Sequence, residues 1–223
     1  EKYIYVAVLN RDQNYLKLNK YDAETGEYIK TLFEEKDEKY VQPLHPMIFI
    51  DNKRFLWRSE KDGYDHFYLY NEKGKLIKKV TSGNIVVKDF IGYKNDTIYF
   101  SAYSSDGLDV HLYSFSLDKK NKKSQKSLTK KFPGVHKFKM SPSGNFFIDE
   151  FSNLKLPRLI QIINTQGDHM YHLLDAKNPL EGYDFGDIEL LQIETENNVL
   201  LNARMVKPFD FDARYNLAIA NAL

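Results

Sequence analysis

The sequence predicts an all-β chain assembled from a repeated unit of about four short antiparallel strands. Two observations point there directly. Aromatic residues are abundant, with 16 Tyr and 15 Phe in 223 residues, and such side chains favour pleated strands. Turn signals of one build recur at Thr25-Gly26-Glu27, Lys73-Gly74-Lys75, Lys119 to Lys123 and Gln166-Gly167-Asp168, a spacing of roughly 45–48 residues. A third observation is negative: no long stretch sustains a helical period, which argues against an α/β fold.

The elements follow in chain order. Tyr3-Ile4-Tyr5-Val6 reads as a strand already under way, with no initiating Met and no signal peptide, so the chain is expected to be a piece of a longer protein. Tyr15-Leu16-Lys17-Leu18 leads into the Gly26 turn. Phe55-Leu56-Trp57-Arg58, the polar tip Ser59-Glu60-Lys61-Asp62-Gly63 and His66-Phe67-Tyr68-Leu69-Tyr70 form the clearest strand–turn–strand. Gly takes positive φ at that tip without a Cβ clash, and Asp can bond the backbone just ahead. Leu112-Tyr113-Ser114-Phe115 and Leu159-Ile160-Gln161-Ile162 repeat the pattern before the later turns.

A second turn class, at Asp51 to Arg54, Tyr93 to Asp96 and Ser141 to Gly144, is read as opening the inner strand of each unit. The units then span 1–50, 51–94, 95–142 and 143–186. Four strands per unit, repeated radially, describe the blades of a β-propeller, here a fragment of about four blades. Residues 187–215 read as a connector: a hairpin, then the Pro-led exit Lys207-Pro208-Phe209-Asp210-Phe211-Asp212. Residues 216–223 have the Ala and Leu content of a helix and read as a helical, disordered or artefactual tail.

Composition excludes several classes. Lys+Arg at 32 nearly cancels Asp+Glu at 31, so no global field draws nucleic acid or an anionic membrane. With no cysteine there is no disulfide framework, thiolate zinc site or thiol nucleophile. No apolar run approaches the ~20 residues that span a bilayer.

Several stretches resemble one family. Tyr40-Val41-Gln42-Pro43-Leu44-His45-Pro46 and Phe55 through Tyr70 are similar to the N-terminal propeller of bacterial dipeptidyl peptidase IV, of the prolyl oligopeptidase clan. So are Leu9 to Asn14, Ala176 to Tyr183 and Met205 to Asp212, so the likeness runs in family order from about residue 5 to Tyr215. The resemblance implies an eight-bladed propeller capping an α/β-hydrolase domain, a serine peptidase that releases X-Pro or X-Ala dipeptides, and a periplasmic or extracellular location. This chain would be the latter half of the propeller. Its partners would be its own hydrolase domain and the parent's peptide substrates.

The residues of the chemistry are not carried over. A hydrolase of this type places its nucleophile in Gly-x-Ser-x-Gly, and that motif does not occur here. After Tyr215 the chain departs from the family's Tyr-Gly-Gly-Pro pattern. The family's paired glutamates belong to an earlier blade, and no Phe-Arg pair stands near Tyr40 to Pro46. The expectation is therefore no catalytic, cofactor-binding or metal-ligating residue, and a fragment inert as a peptidase. The alternative is a stand-alone periplasmic binding propeller of the translocation-associated type, whose turns resemble Ser141-Pro142-Ser143-Gly144. An artificially truncated domain without autonomous role is a third reading. Four blades cut from a larger ring leave apolar faces open, so the fragment is expected to pair with a second copy or to close imperfectly.

Individual residues read mostly as structural. Asp62-Gly63 and Asp106-Gly107 are turn chemistry rather than cation ligands, and Glu60 sits at a solvated tip. His169 and His172 fall in a strand, where odd spacing points them to opposite faces, so no metal is expected there. The lysines of 119–131 mark a solvated edge that discourages aggregation. Asn95-Asp96-Thr97 fits a glycosylation sequon but sits in a turn. Trp57 packs between units.

Overall fold

The computed structural model describes residues 2–118, 125–212 and 219–222, and every regular element among them is a strand. The first sheet holds β1 (Tyr3–Leu9), β2 (Tyr15–Asp22) and β3 (Tyr28–Lys36). The second holds β4 (Ile48–Asp51), β5 (Arg54–Ser59), β6 (His66–Asn71) and β7 (Leu76–Lys79). A third ladder contains β8 (Val86–Lys94), β9 (Thr97–Tyr103), β10 (Val110–Ser116) and β11 (Gln125–Ser127). The fourth contains β12 (Val135–Met140), β13 (Phe146–Ser152), β14 (Leu159–Asn164) and β15 (His169–Asp175). Within each ladder the strands follow sequence order and pair antiparallel. The third and fourth touch through one parallel pairing, Val110 with Val135.

Packing explains why β5 and β6 show no clean inside–outside alternation. In β5 the consecutive residues Phe55, Leu56 and Trp57 are all buried. Phe55 and Trp57 join Tyr68 and Tyr70 in a cluster with Leu16, Leu18 and Leu32 of the first sheet. Leu56 joins Phe67 and Leu69 in a cluster with Val87, Ile98 and Phe100 of the third. The second sheet is therefore sandwiched, and a strand buried on both faces reads as a continuous apolar run. Trp57 lies between sheets, as expected, its ring edge-on to Phe33 at 5.3 Å. A smaller cluster of Tyr99, Leu112, Phe147 and Ile163 joins the third and fourth ladders.

Glycine sets how closely successive sheets approach. Gly74 has φ +86° in the β6–β7 turn, and a Cβ there would lie 2.2 Å from the Leu32 carbonyl oxygen of β3. Gly167, with φ +88° in the β14–β15 turn, meets the Leu128 carbonyl oxygen at 2.3 Å in the same way. The turn of one sheet thus rests on backbone at the outer edge of the sheet before it.

The unit boundaries differ from the sequence reading by one strand. The turns at 52–53, 95–96 and 141–145 do not open units; each joins the first and second strands of a sheet, so β4, β8 and β12 belong with the strands that follow them. Asn95 and Asp96 both adopt positive φ, 47° and 54°, the geometry of a tight two-residue hairpin turn. The first sheet has three strands, not four. The expected turn at Lys119 to Lys123 lies outside the described residues.

β16 (Ile188–Glu194) and β17 (Leu200–Val206) form the expected hairpin, and Asn202 Nδ2 donates to the Asp106 carbonyl at 2.5 Å. The described part of the tail is a strand, not a helix: β18 (Ile219–Ala222) pairs antiparallel with β17. A free ladder edge outweighs the weak helical preference of Ala and Leu there. Residues 216–218 and 223 lie outside the described set.

Candidate functional site

One built polar cleft stands where β3 and β5 end. The chain leaving β3 folds over the β1–β2 loop, with the Asp37 amide donating to the Asn14 carbonyl at 3.1 Å and the Val41 amide to the Gln13 carbonyl at 2.7 Å. This places 36–42 opposite the 59–63 tip and encloses a cavity of about 200 Å³ lined by Glu35, Lys39, Tyr40, Gln42, Glu60 and Lys61, among others.

Glu35 and Lys61 dominate its chemistry. The Glu35 side chain is only 9% exposed and its Oε1 has no hydrogen-bond partner; Lys61 Nζ stands 3.9 Å away, an ion pair without a direct bond. Burial pushes the Glu35 carboxyl up, opposed by the Lys61 charge and by the nearby Trp57 indole and Ser59 hydroxyl. Burial likewise pushes Lys61 down, opposed by Glu35 and Asp62. Lys61 is held in place by a hydrogen bond to the Tyr70 hydroxyl at 3.2 Å and lies 3.8 Å from the Tyr68 ring centroid. Burial raises both tyrosines. The cleft is thus a charge-balanced polar pocket suited to a polar ligand.

The residues singled out in the sequence are scattered rather than assembled. Asp62 accepts a hydrogen bond from the Tyr68 hydroxyl at 2.7 Å and pairs with Lys79 at 2.9 Å, so its carboxylate is occupied at the hairpin tip. Asp106 caps its own turn by accepting from the Leu108 amide at 3.1 Å. Asp96, within the sequon, accepts from Tyr93 and Arg54. Lys126, Lys130 and Lys131 edge a shallow groove beside Gly167, while Lys119 to Lys123 lie outside the described residues. Among the described residues no three His, Asp or Glu cluster around a common point.

The opposite-face reading of His169 and His172 is overturned. In β15, His169 pairs opposite Ile163, Tyr171 opposite Ile162 and His172 opposite Gln161, so Met170 is left unpaired between the two histidines. That extra residue reverses the alternation, and the histidines share a face, their ring centroids 4.3 Å apart.

Sequence reasoning missed a repeated buried polar pair. His66 Nδ1 meets Thr81 Oγ1 at 3.0 Å, and the same hydroxyl accepts the Phe67 amide at 3.0 Å. His111 Nδ1 and Thr129 Oγ1 stand 3.4 Å apart, with the Leu112 amide bonded to that hydroxyl at 3.0 Å. A signal for it was available in the second and third sheets. Each carries a His at or beside the start of its third strand, and a Thr just past the end of its fourth. A third network, centred on the buried His136 and Asp149, joins His136 Nδ1 to Asp149 at 2.7 Å and its Nε2 to the Phe132 carbonyl at 2.9 Å, with Gln161 donating to Asp149. Arg58 bonds Asp65 and the Val87 and Lys88 carbonyls, fastening the second sheet to β8.

Fold and cleft together define an all-β array of packed antiparallel sheets with a polar pocket among its loops. Residues 1–158 match the family described as the dipeptidyl peptidase IV (DPP IV) N-terminal region, and the chain belongs to that family. Among solved structures it is similar to a putative dipeptidyl aminopeptidase IV from Bacteroides ovatus ATCC 8483, with 31% identity and TM-score 0.86 over 95% of this chain and 33% of that one. It is also similar to Porphyromonas gingivalis dipeptidyl peptidase 4, with 25% identity and TM-score 0.83 over 95% of this chain and 30% of that one. The chain therefore spans about a third of the solved proteins it matches.

Proposed function

We propose that the chain is the non-catalytic propeller portion of a serine-type dipeptidyl peptidase that releases X-Pro and X-Ala dipeptides from peptide N-termini. The observation that carries this reading is the likeness to two dipeptidyl peptidase structures along 95% of the chain. The four ladders are then four blades of an eight-bladed ring, and β16–β17 leads toward an α/β-hydrolase domain. The propeller limits access to the enclosed active site by tunnel width and scaffolds the hydrolase domain, in a periplasmic or extracellular enzyme. No helix among the described residues is long and apolar enough to cross a membrane.

The test is dipeptide release from Gly-Pro and Ala-Pro chromogenic substrates. The full-length parent is expected to cleave both, and this chain alone neither. Cleavage by the isolated chain, or a parent that releases no dipeptide from these substrates, overturns the proposal.

A further inference from the structure

We propose that His169 and His172 form a two-histidine site for a late first-row transition-metal dication such as Zn²⁺, Ni²⁺ or Cu²⁺. The unpaired Met170 of β15 places both side chains over the same face, and the rings stand 4.3 Å apart at 70° to one another. Rings in contact on one face are near enough for rotamer changes to bring a nitrogen of each to a common point, at the ~2.0–2.1 Å that a metal–imidazole bond requires.

The availability of those nitrogens is the second support. His66, His111 and His136 commit ring nitrogens to Thr81, Thr129, Asp149 and the Phe132 carbonyl. No described group bonds a nitrogen of His169 or His172, and both side chains are exposed on the outermost strand of their ladder. Neutral imidazole is a borderline-soft donor that selects Zn²⁺, Cu²⁺ and Ni²⁺ over Mg²⁺ or Ca²⁺. Two protein ligands leave the remaining positions to water, so the site is open and exchangeable rather than a closed structural centre. A bound ion would bridge the Met170 irregularity within β15.

The experiment uses the chain free of any polyhistidine tag and stripped with chelator. ZnCl₂ and NiCl₂ are titrated separately by calorimetry, and the histidine ring ¹⁵N resonances are followed by NMR. One equivalent is expected to bind, with His169 and His172 the rings that shift and with release on acidification, because protons compete for the same lone pairs. His169→Gln and His172→Gln are each expected to weaken binding by more than the about 10-fold that marks loss of even an outer-shell partner. His45→Gln serves as a control and is expected to leave binding unchanged. Both test positions are exposed, so an unchanged thermal transition verifies the fold of each variant. Absence of saturable binding to the unaltered chain, or binding that survives in both variants, overturns the proposal.

Discussion

His111 shows how a single buried ring couples this fold to pH. Burial first, and the neighbouring His136 second, push its ionisation below the ordinary histidine value of 6.5, while Asp109 and Asp106 oppose and Lys130 adds to the depression. A ring whose folded pKa is depressed contributes stability above its unfolded pKa and loses it as pH falls through the folded one. Stability is therefore expected to decline from pH 6.5 downward. His111→Gln should flatten that part of the curve of melting temperature against pH; an unchanged curve would contradict the assignment. The partner threonines matter for a different reason. Thr81→Val strips the Phe67 amide of its acceptor and the His66 ring of its hydroxyl partner, and a buried donor left unpaired costs about 1–3 kcal/mol, readable by urea unfolding. These pairs were legible in the residue order but not in any alternation rule, because a satisfied core histidine has the same letter as a ligand. His169 and His172 failed for a sharper reason: period-two reasoning assumes an unbroken ladder, and β15 breaks its ladder between them.

At the scale of elements, the hairpin turns carry most of the geometry. Gly74 and Gly26 both take positive φ, but only Gly74 would press a Cβ into neighbouring backbone, the Leu32 carbonyl. Gly26→Ala should cost roughly the 1–2 kcal/mol of a left-handed alanine. Gly74→Ala should cost clearly more, since the second sheet must also back away from the first. Equal losses in chemical denaturation would show that the close approach is not a constraint. The existence and type of the strands were legible because aromatic, β-branched runs between Gly and Asp turns have few other readings. Their grouping was not. A turn that joins the first two strands of a sheet and one that separates two sheets look alike in sequence, and only pairing distinguishes them, as at Asn95 and Asp96. The last strand was misread because β18 gains its order from the edge of β17, a contact that its own composition does not encode.

At the scale of the molecule, stability comes from stacking sheets that are apolar on both faces. The second sheet is covered on each side, by the first and by the third. The fourth ladder leaves Phe146, Ile148 and Tyr171 exposed at 42%, 44% and 65% along an apolar groove. The isolated chain is expected to self-associate through that flank; light scattering should show a dimer that Ile148→Lys returns to monomer, and a strict monomer for the unaltered chain would refute it. The polar cleft of Glu35 and Lys61 was not foreseen, because its walls come from loops after β3 and β5 that meet only when two sheets stack. Under the proposed function, these ladders are successive sectors of one ring whose chemistry resides in a further domain. An experimental structure of the full-length parent tests that most directly. It is predicted to show the four ladders arranged radially about one axis, with β16 and β17 passing into an α/β-hydrolase domain that holds the nucleophile. Ladders that share no axis, or a nucleophile–histidine–carboxylate set assembled from residues of this chain, would contradict it.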